Sequence, residues 1–265
     1  MNRIAAIQMI STPEVEENIA SARRLVTAAA RDGAELVLLP EYWPILGRHE
    51  NDKLAVAETP GAGPIQDAMA SLARELGIWL IGGTLPLAAS VPGKVLNTLL
   101  AFNADGAPVG RYDKIHLFGF QRGDESYDES RTIAAGGEVQ TLETPFGRIG
   151  LSVCYDLRFP ELYRAMGNCS LIVVPSAFTY TTGKAHWEIL LRARAIENQC
   201  YVLAAAQGGV HPNGRRTWGH SMLVDPWGEV KAELAEGEGV VAGELDAAVL
   251  ETVRGNLPAL RHRVL

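Results

Sequence analysis

A cysteine followed by charged residues is the first feature of this sequence that could do chemistry. Cys154 closes the apolar run 148–154, and Asp156 and Arg158 follow it before Pro160 opens a short helical stretch. A helix N-terminus and a nearby arginine both favour a thiolate, so this setting predicts a lowered pKa and a nucleophilic role for Cys154. Free cysteines are also commonly buried, so a packing role stays open.

Two further residues are candidates for the groups that a nucleophilic cysteine needs. Glu41 follows Pro40 at the end of an apolar run, where its carboxylate could act as a general base. Lys114, in "RYDKIHLF", ends a predicted strand and could stabilise an oxyanion. Taken singly, each could equally be a surface residue, because one glutamate or lysine at the end of a strand is a weak signal.

The sequence offers little for a metal site or a serine nucleophile. The "HWE" at 186–188 is similar to the H-x-E of zinc deaminases, but no P-C-x-x-C follows it. We therefore expect no metal and a packing or hydrogen-bonding role for His186. Ser152, in "GLSVC", lacks the second glycine of a nucleophile elbow and should point away from Cys154.

Apolar strands and helices alternate along the segments that must position these residues. Ser11 and Glu14 are a possible capping box for a helix that Asp32-Gly33 ends. A second helix is predicted at about 64–76. The predicted strands of this half are 3–9, 35–40, 78–83 and the two arms of a hairpin about Asp105-Gly106, 97–103 and 108–114.

The same order of elements recurs in the second half of the chain. Its predicted strands 148–154, 171–176 and 201–207 resemble the first three, followed by a hairpin over 221–234, and its main helix spans about 184–199. Between the halves, 115–137 is interpreted as a long functional loop. This repeat predicts a single α/β domain, residues 1–265, folded as a four-layer α-β-β-α sandwich with an internal pseudo-two-fold repeat. Ligands bind beyond the carboxyl ends of such strands, which would place Glu41 and Cys154 in one cleft.

The composition is that of an ordinary globular protein. The 265 residues are 47% hydrophobic and 21% charged, and the net charge of -7 disfavours nucleic acid as a partner, since phosphate contacts need clustered Lys and Arg. No segment has the pattern of a signal peptide or of a spanning helix, so we expect no membrane partner. Cys154, Cys169 and Cys200 form no CxxC pair, which is typical of a protein of the reducing cytoplasm.

Three blocks of the sequence together resemble a known family. They are "LLPEYW" (38–43), "GRYDKIHLF" (110–118) and "GLSVCYDLRFPELYR" (150–164), and they are similar to the signature blocks of the nitrilase superfamily, the carbon–nitrogen hydrolases. The blocks occur in the family's order, and the resemblance runs over nearly the whole chain. It implies an α-β-β-α sandwich, no cofactor, and a homodimer or higher homo-oligomer.

The resemblance also implies catalytic roles for the matching positions. It makes Cys154 the nucleophile, Glu41 the general base and Lys114 the oxyanion stabiliser. The backbone N–H of Tyr155 would be a second oxyanion donor. The family usually has a second glutamate between the lysine and cysteine blocks. Glu129, in "YDESRT", matches that position and would orient Lys114 or the substrate amide.

The expected substrate is a small-molecule amide. The segments "QCYVLAAAQ" and "VDPWG" resemble the Nit branch, and within it the amidases of deaminated glutathione more than the ω-amidases of 2-oxoglutaramate. Carbamoylase, nitrilase and non-catalytic scaffold functions are the remaining alternatives. Arg158 could bind a substrate carboxylate bidentately or pair with Asp156 or Glu161. Thr179 and Thr182 are weaker candidates for substrate contact.

Overall fold

Two large β-sheets, of eight and six strands, form the centre of the structure, a computed structural model that describes residues 1–123 and 125–264. In chain order the strands are β1 (Asn2–Gln8), β2 (Leu36–Leu38), β3 (Trp79–Ile81), β4 (Leu85–Ala88), β5 (Val95–Phe102), β6 (Pro108–Asp113), β7 (Gly119–Arg122), β8 (Glu125–Asp128), β9 (Ile133–Ala134), β10 (Thr141–Thr144), β11 (Gly147–Leu151), β12 (Leu171–Ser176), β13 (Tyr201–Ala206), β14 (Ser221–Val224), β15 (Val230–Leu234) and β16 (Gly239–Leu245). The helices are α1 (Val15–Arg31), α2 (Asp52–Ala55), α3 (Pro64–Leu76), α4 (Pro160–Ala165), α5 (Tyr180–Asn198) and α6 (Ala247–Asn256). Short 3₁₀ turns occur at Glu129–Arg131, Cys154–Arg158 and Ala259–Arg261.

Both sheets are built on the same arrangement of strands, as the sequence repeat predicts. In the first sheet β1, β2 and β3 run parallel, and β5 lies antiparallel beside β3. In the second sheet β11, β12 and β13 run parallel, and β14 lies antiparallel beside β13. A parallel bridge between Met9 and Gln207 joins the ends of β1 and β13. The carboxyl ends of the parallel strands of both sheets therefore meet in one region.

Apolar side chains fill the spaces between four layers. Side chains alternate along β1, so Ile4 and Ala6 pack between the two sheets while Ala5 and Ile7 pack with α1 and α3. On the far side of the second sheet, α5 covers β13 and β14 and buries Trp187. The order of layers is helix, sheet, sheet, helix, which confirms the predicted α-β-β-α sandwich.

Three local predictions were wrong. Ser11 does not cap α1, because its hydroxyl donates to the Trp43 carbonyl and the helix has no side-chain cap. The segment 115–137 is not one long loop: it contains the β7–β8 hairpin, a 3₁₀ turn and β9. The main helix of the second half begins at Tyr180, several residues before the predicted start, because Thr179 caps it.

Two further expectations concern the pairing of the cysteines and the presence of a membrane-spanning helix. Cys154, Cys169 and Cys200 are free and buried, and the last two lie in the core around the second sheet. Along residues 1–123 and 125–264, no helix combines the length and the apolar composition needed to cross a membrane.

Candidate active site

A buried ammonium group joins two of the predicted carboxylates. Lys114 directly follows β6, and its Nζ donates to Glu41 Oε1 at 2.8 Å and to Glu129 Oε2 at 2.8 Å and Oε1 at 3.0 Å. Glu41 comes after β2 and Glu129 after β8. The side chain of Lys114 is 0% exposed and that of Glu41 is 1% exposed, so water does not weaken these contacts.

Glu41 is fixed by groups from three other segments. Its Oε1 accepts a hydrogen bond from Asn97 Nδ2 at 3.0 Å, and its Oε2 accepts one from the Ala177 backbone N–H at 2.9 Å. The Gln207 amide donates to the Glu41 backbone carbonyl at 3.1 Å. Asn97 lies in β5, and Ala177 and Gln207 directly follow β12 and β13, so the fold itself sets the position of Glu41 and the direction of its carboxylate.

Glu129 and Lys114 hold each other in their charged forms. Burial alone would raise the pKa of Glu129, but the charge and hydrogen bonds of Lys114, with donors from Phe118 and Tyr42, lower it overall. Tyr42 Oη donates to Glu129 at 2.6 Å and the Phe118 N–H donates at 2.7 Å. Burial likewise disfavours charged Lys114, but Glu129 and Glu41 raise its pKa above the usual range. Lys114 is therefore charged and Glu129 ionised at neutral pH.

Cys154 faces this cluster from the end of β11 as a neutral thiol. Burial raises the pKa of Cys154 well above its usual value, the charge of Glu41 raises it further, and the charge of Lys114 offsets only part of the effect. The predicted lowering of this pKa was wrong, because the thiol is buried and lies in a 3₁₀ turn beside carboxylates. Its φ of +48° is in the left-handed region, which side chains other than glycine enter at an energetic cost, often at functional sites.

Asp156 holds the turn that carries Cys154. Its Oδ2 accepts hydrogen bonds from the Val153 N–H at 2.8 Å and from Tyr112 Oη at 2.7 Å. Its Oδ1 accepts the backbone N–H of His116 at 3.1 Å and lies 2.7 Å from the Nδ1 of the same residue. The sequence pointed to Asp156 only as a charged neighbour of Cys154, and these buried contacts support a structural role.

A narrow cavity, here called the inner pocket, lies over Cys154. Its walls are Glu41, Phe118, Glu129, Cys154, Tyr155, Arg158, Ala177, Phe178, Thr179, Thr182 and Arg215. The free volume is only about 10 Å³, close to the smallest space that holds one water molecule. An acyl chain therefore fits only if side chains of the wall turn aside.

Arg158 is one of the side chains of this wall. Its guanidinium lies 3.2 Å from His186 Nδ1 and over the rings of Tyr155 and Phe178, at 5.7 and 5.4 Å from their centroids. Within the described part of the chain it forms no ion pair with Asp156 or Glu161. The sequence left two roles open for Arg158, an ion pair within the turn or binding of a substrate carboxylate. The structure lacks the ion pair, and the guanidinium lies at the pocket wall, where it could contact a substrate.

Thr179 and Thr182 also lie in the wall of the inner pocket. The hydroxyls of the two residues are 2.9 Å apart, and Thr179 Oγ1 accepts the backbone N–H of Thr182 at 3.3 Å to cap α5. Both side chains are therefore engaged in the cap. Tyr155 lies at the opposite wall, where its ring packs edge-on against Phe118 with centroids 5.2 Å apart.

A wider cavity, here called the outer cleft, adjoins the inner pocket. Its volume is about 310 Å³, and it shares Phe118, Glu129 and Arg215 with the inner pocket. The other walls are Tyr42, Ile45, Leu46, Gly47, Arg48, His49, Glu50, Lys53, Tyr127, Asp128 and Asn213. Sequence analysis missed Arg215, whose only signal is its place in the polar turn "HPNGRR". Over residues 1–123 and 125–264, no three His, Cys, Asp or Glu side chains group as metal ligands would.

Comparison with known proteins places this geometry in a family. Residues 3–255 match the family described as carbon-nitrogen hydrolase. The deaminated glutathione amidase of Synechocystis sp. (strain PCC 6803 / GT-S) is 42% identical over 98% of this chain and 97% of its own. The crystal structure of the C. elegans NitFhit protein matches with a TM-score of 0.90 and 40% identity, over 99% of this chain and 65% of that longer one.

A third match bears on the cysteine. The amidase from Nesterenkonia sp. AN1 matches with a TM-score of 0.81 and 27% identity, over 97% of this chain and 98% of that one. In that structure of a glutamine variant, acrylamide has undergone Michael addition at the active site cysteine. The family match covers nearly the whole chain, and the Synechocystis relative matches at nearly full length. The chain therefore belongs to the carbon–nitrogen hydrolase family and is an amidase that acts on carbon–nitrogen bonds other than peptide bonds.

Proposed function

We propose that this amidase hydrolyses deaminated glutathione, or a close analogue, through a thioester on Cys154. The observation that carries the proposal is the buried cluster of Glu41, Lys114 and Glu129 at the neutral Cys154 thiol. A neutral thiol needs a base, and a developing oxyanion needs a donor, and the cluster contains both. The substrate is inferred from the relatives named deaminated glutathione amidase.

Acylation begins with transfer of the Cys154 proton to Glu41. The sulfur forms a bond to the amide carbon, and the negative charge on the carbonyl oxygen is stabilised by Lys114 Nζ and the Tyr155 backbone N–H. When the tetrahedral intermediate collapses, the carbon–nitrogen bond breaks and Glu41 returns the proton to the leaving amine. Glu129 orients Lys114 throughout, because it accepts two hydrogen bonds from the ammonium group.

Deacylation uses the same groups with water as the nucleophile. Glu41 takes a proton from water as the hydroxide oxygen bonds to the thioester carbon. The carbon–sulfur bond then breaks, and the proton returns from Glu41 to the Cys154 sulfur, which restores the resting enzyme. When the substrate is bound, Arg158 pairs with a carboxylate of the acyl group. Thr179 and Thr182 form the pocket wall beside the acyl group.

The test compares substrates and cysteines. We expect a higher kcat/KM for deaminated glutathione than for 2-oxoglutaramate, and equal values would contradict the substrate assignment. Cys154→Ala should abolish hydrolysis, whereas Cys169→Ala, at a buried cysteine of the core, should retain it. Mass spectrometry of acid-quenched enzyme should find the acyl group on the Cys154 peptide. Hydrolysis by Cys154→Ala would overturn the mechanism.

We further propose that residues 1–265 act as one catalytic unit that forms a homodimer in the cytoplasm. An apolar patch on the outer face of α5 supports pairing: Ile189 is 70% exposed, Ile196 50% and the neighbouring Trp227 64%. Exposed apolar surface of this kind marks interfaces. Ile189→Glu should shift the sedimentation coefficient from dimer to monomer. A wild-type monomer at micromolar concentration would contradict this proposal.

A further inference from the structure

Arg215 stands at the junction of the inner pocket and the outer cleft. One terminal nitrogen of its guanidinium donates to the Ala177 carbonyl at 3.0 Å, and the group lies over the Tyr127 ring, 5.0 Å from the centroid. Its Nε is buried and has no hydrogen-bond partner in the described part of the chain. A buried donor without an acceptor is unfavourable, so this nitrogen is suited to a ligand atom that accepts.

The carboxylates of the outer cleft are already engaged with other groups. Glu129 accepts from Lys114, and Glu50 pairs with Lys53 at 2.8 Å. Asp128 accepts the Ser130 hydroxyl at 2.6 Å. None of these three carboxylates is an ion-pair partner of Arg215. Its positive charge therefore faces the cavity without a counter-ion from the cleft wall, which favours an anionic ligand.

The loop 208–219, which carries Arg215, is held in place before any ligand binds. His211 Nδ1 lies 2.9 Å from the Ser11 carbonyl, and its Nε2 lies 2.8 Å from Thr217 Oγ1. Asn213 Oδ1 accepts the Arg215 backbone N–H at 2.9 Å. A guanidinium on a fixed loop loses less freedom on binding, as a specificity residue requires.

We propose that Arg215 binds a carboxylate on the amine side of the scissile bond, which makes the outer cleft the subsite for a leaving group such as an amino acid or a short peptide. The inference rests on the proposed function, in which the acyl group joins Cys154 in the inner pocket. Arg158 lines only that pocket and serves the acyl side, whereas Arg215 also lines the outer cleft. The volume of the outer cleft, about 310 Å³, leaves room for an amino-acid leaving group, whereas the inner pocket has no space for one.

The experiment uses two substrates that differ in one charge: deaminated glutathione and its C-terminal amide. Arg215→Gln should lower kcat/KM for the free acid by about ten- to a hundredfold, mainly through KM, because a charge-assisted pair is lost. For the C-terminal amide the loss should stay within about threefold, since no carboxylate is present to lose. Arg216→Gln is the matched control, because this exposed neighbour pairs with Glu236 at 2.9 Å, and it should leave both substrates unchanged.

The results that would contradict the role of Arg215 differ from the result that would contradict the proposed function. Equal losses on both substrates would mean that Arg215 acts through the Ala177 carbonyl on Glu41, and would overturn its role in specificity. An Arg215→Gln enzyme that turns over both substrates like wild type would also overturn it. A wild-type protein that hydrolyses neither compound would overturn the proposed function, and the inference with it.

Discussion

Replacing Lys114 with methionine should destabilise the protein, and most strongly at neutral pH. The Nζ of Lys114 donates one hydrogen bond to Glu41 and two to Glu129, all within 3.0 Å. Lys114→Met keeps an unbranched apolar side chain in a fully buried position but removes the positive charge. Two carboxylates then face each other without the cation that compensates them.

The expected magnitude follows from the burial of the cluster. Removing one partner of a buried ion pair costs about 3–5 kcal/mol. At about 2–4 °C per kcal/mol for a domain of this size, the Tm should fall by about 6–20 °C near neutral pH. In the wild type the lowered pKa of Glu129 stabilises the fold above the unfolded-state pKa. Without Lys114 burial raises that pKa instead, so the penalty is present at neutral pH and shrinks as Glu129 takes up a proton toward about pH 5.

The assay is thermal unfolding between about pH 5 and 8 for the wild type, Lys114→Met, Glu129→Gln and the double variant. Glu129→Gln removes one carboxylate charge, so Lys114→Met should cost less in that background than in the wild type. A loss of Tm that does not change with pH, and is the same in both backgrounds, would refute the charge-balance reasoning. Methionine would then act only through packing.

Three further predictions test other parts of the structure. Asp156→Ala should lower kcat about tenfold or more with little change in KM, because the turn that carries Cys154, the proposed nucleophile, loses its buried acceptor. Steady-state kinetics of Asp156→Ala and Asp156→Asn, compared with the wild type, measures this. Burial lowers the pKa of His211 to about 4, so its contribution to stability is present above about pH 6.5 and is lost as the pH falls toward 4. The Tm of His211→Gln should therefore vary less over that range than the Tm of the wild type. Gly183→Ala should cost about 1–3 kcal/mol in denaturant unfolding, since its new Cβ would lie 2.3 Å from the Trp218 side chain, whereas Gly255→Ala, with open space around it, should not destabilise.

The layers of the fold could be predicted because they depend on local apolar periodicity. Spacings of four and three place Ala22, Val26 and Ala29 on one face of α1, and that face is buried. The repeated order of elements led directly to two packed sheets. The β7–β8 hairpin was not predictable in the same way. Its arms are four residues each, and its aromatic side chains, Phe120 and Tyr127, pack on Phe118, which periodicity within 115–137 does not reveal.

Some features of the candidate site could likewise be predicted from the sequence, and others could not. Glu41, Lys114 and Cys154 could be located because each lies in a sequence block that resembles a signature block of the carbon–nitrogen hydrolases. The structure brings the three residues together. The direction of the thiol pKa shift could not be predicted, since it depends on the burial of the thiol in the folded chain and on carboxylates that approach from distant parts of the sequence. Asn97 and Arg215 were missed for a similar reason: only the packing of strands and loops brings Asn97 to the Glu41 carboxylate and Arg215 to the Ala177 carbonyl at the cavity wall.

The hydrogen bonds of Lys114 suggest why the proposed base, Glu41, and the proposed oxyanion donor, Lys114, are in direct contact. An ammonium group has three N–H donors, and at rest all three point to Glu41 and Glu129. In the proposed mechanism Glu41 becomes neutral when it takes the Cys154 proton, and it then competes weakly for Lys114. One N–H of the ammonium group is thereby released toward the carbonyl oxygen at the step in which that oxygen gains charge, while Glu129 keeps the other two. Proton transfer and oxyanion stabilisation are thus coupled through one side chain, and this coupling requires a resting thiol that is neutral.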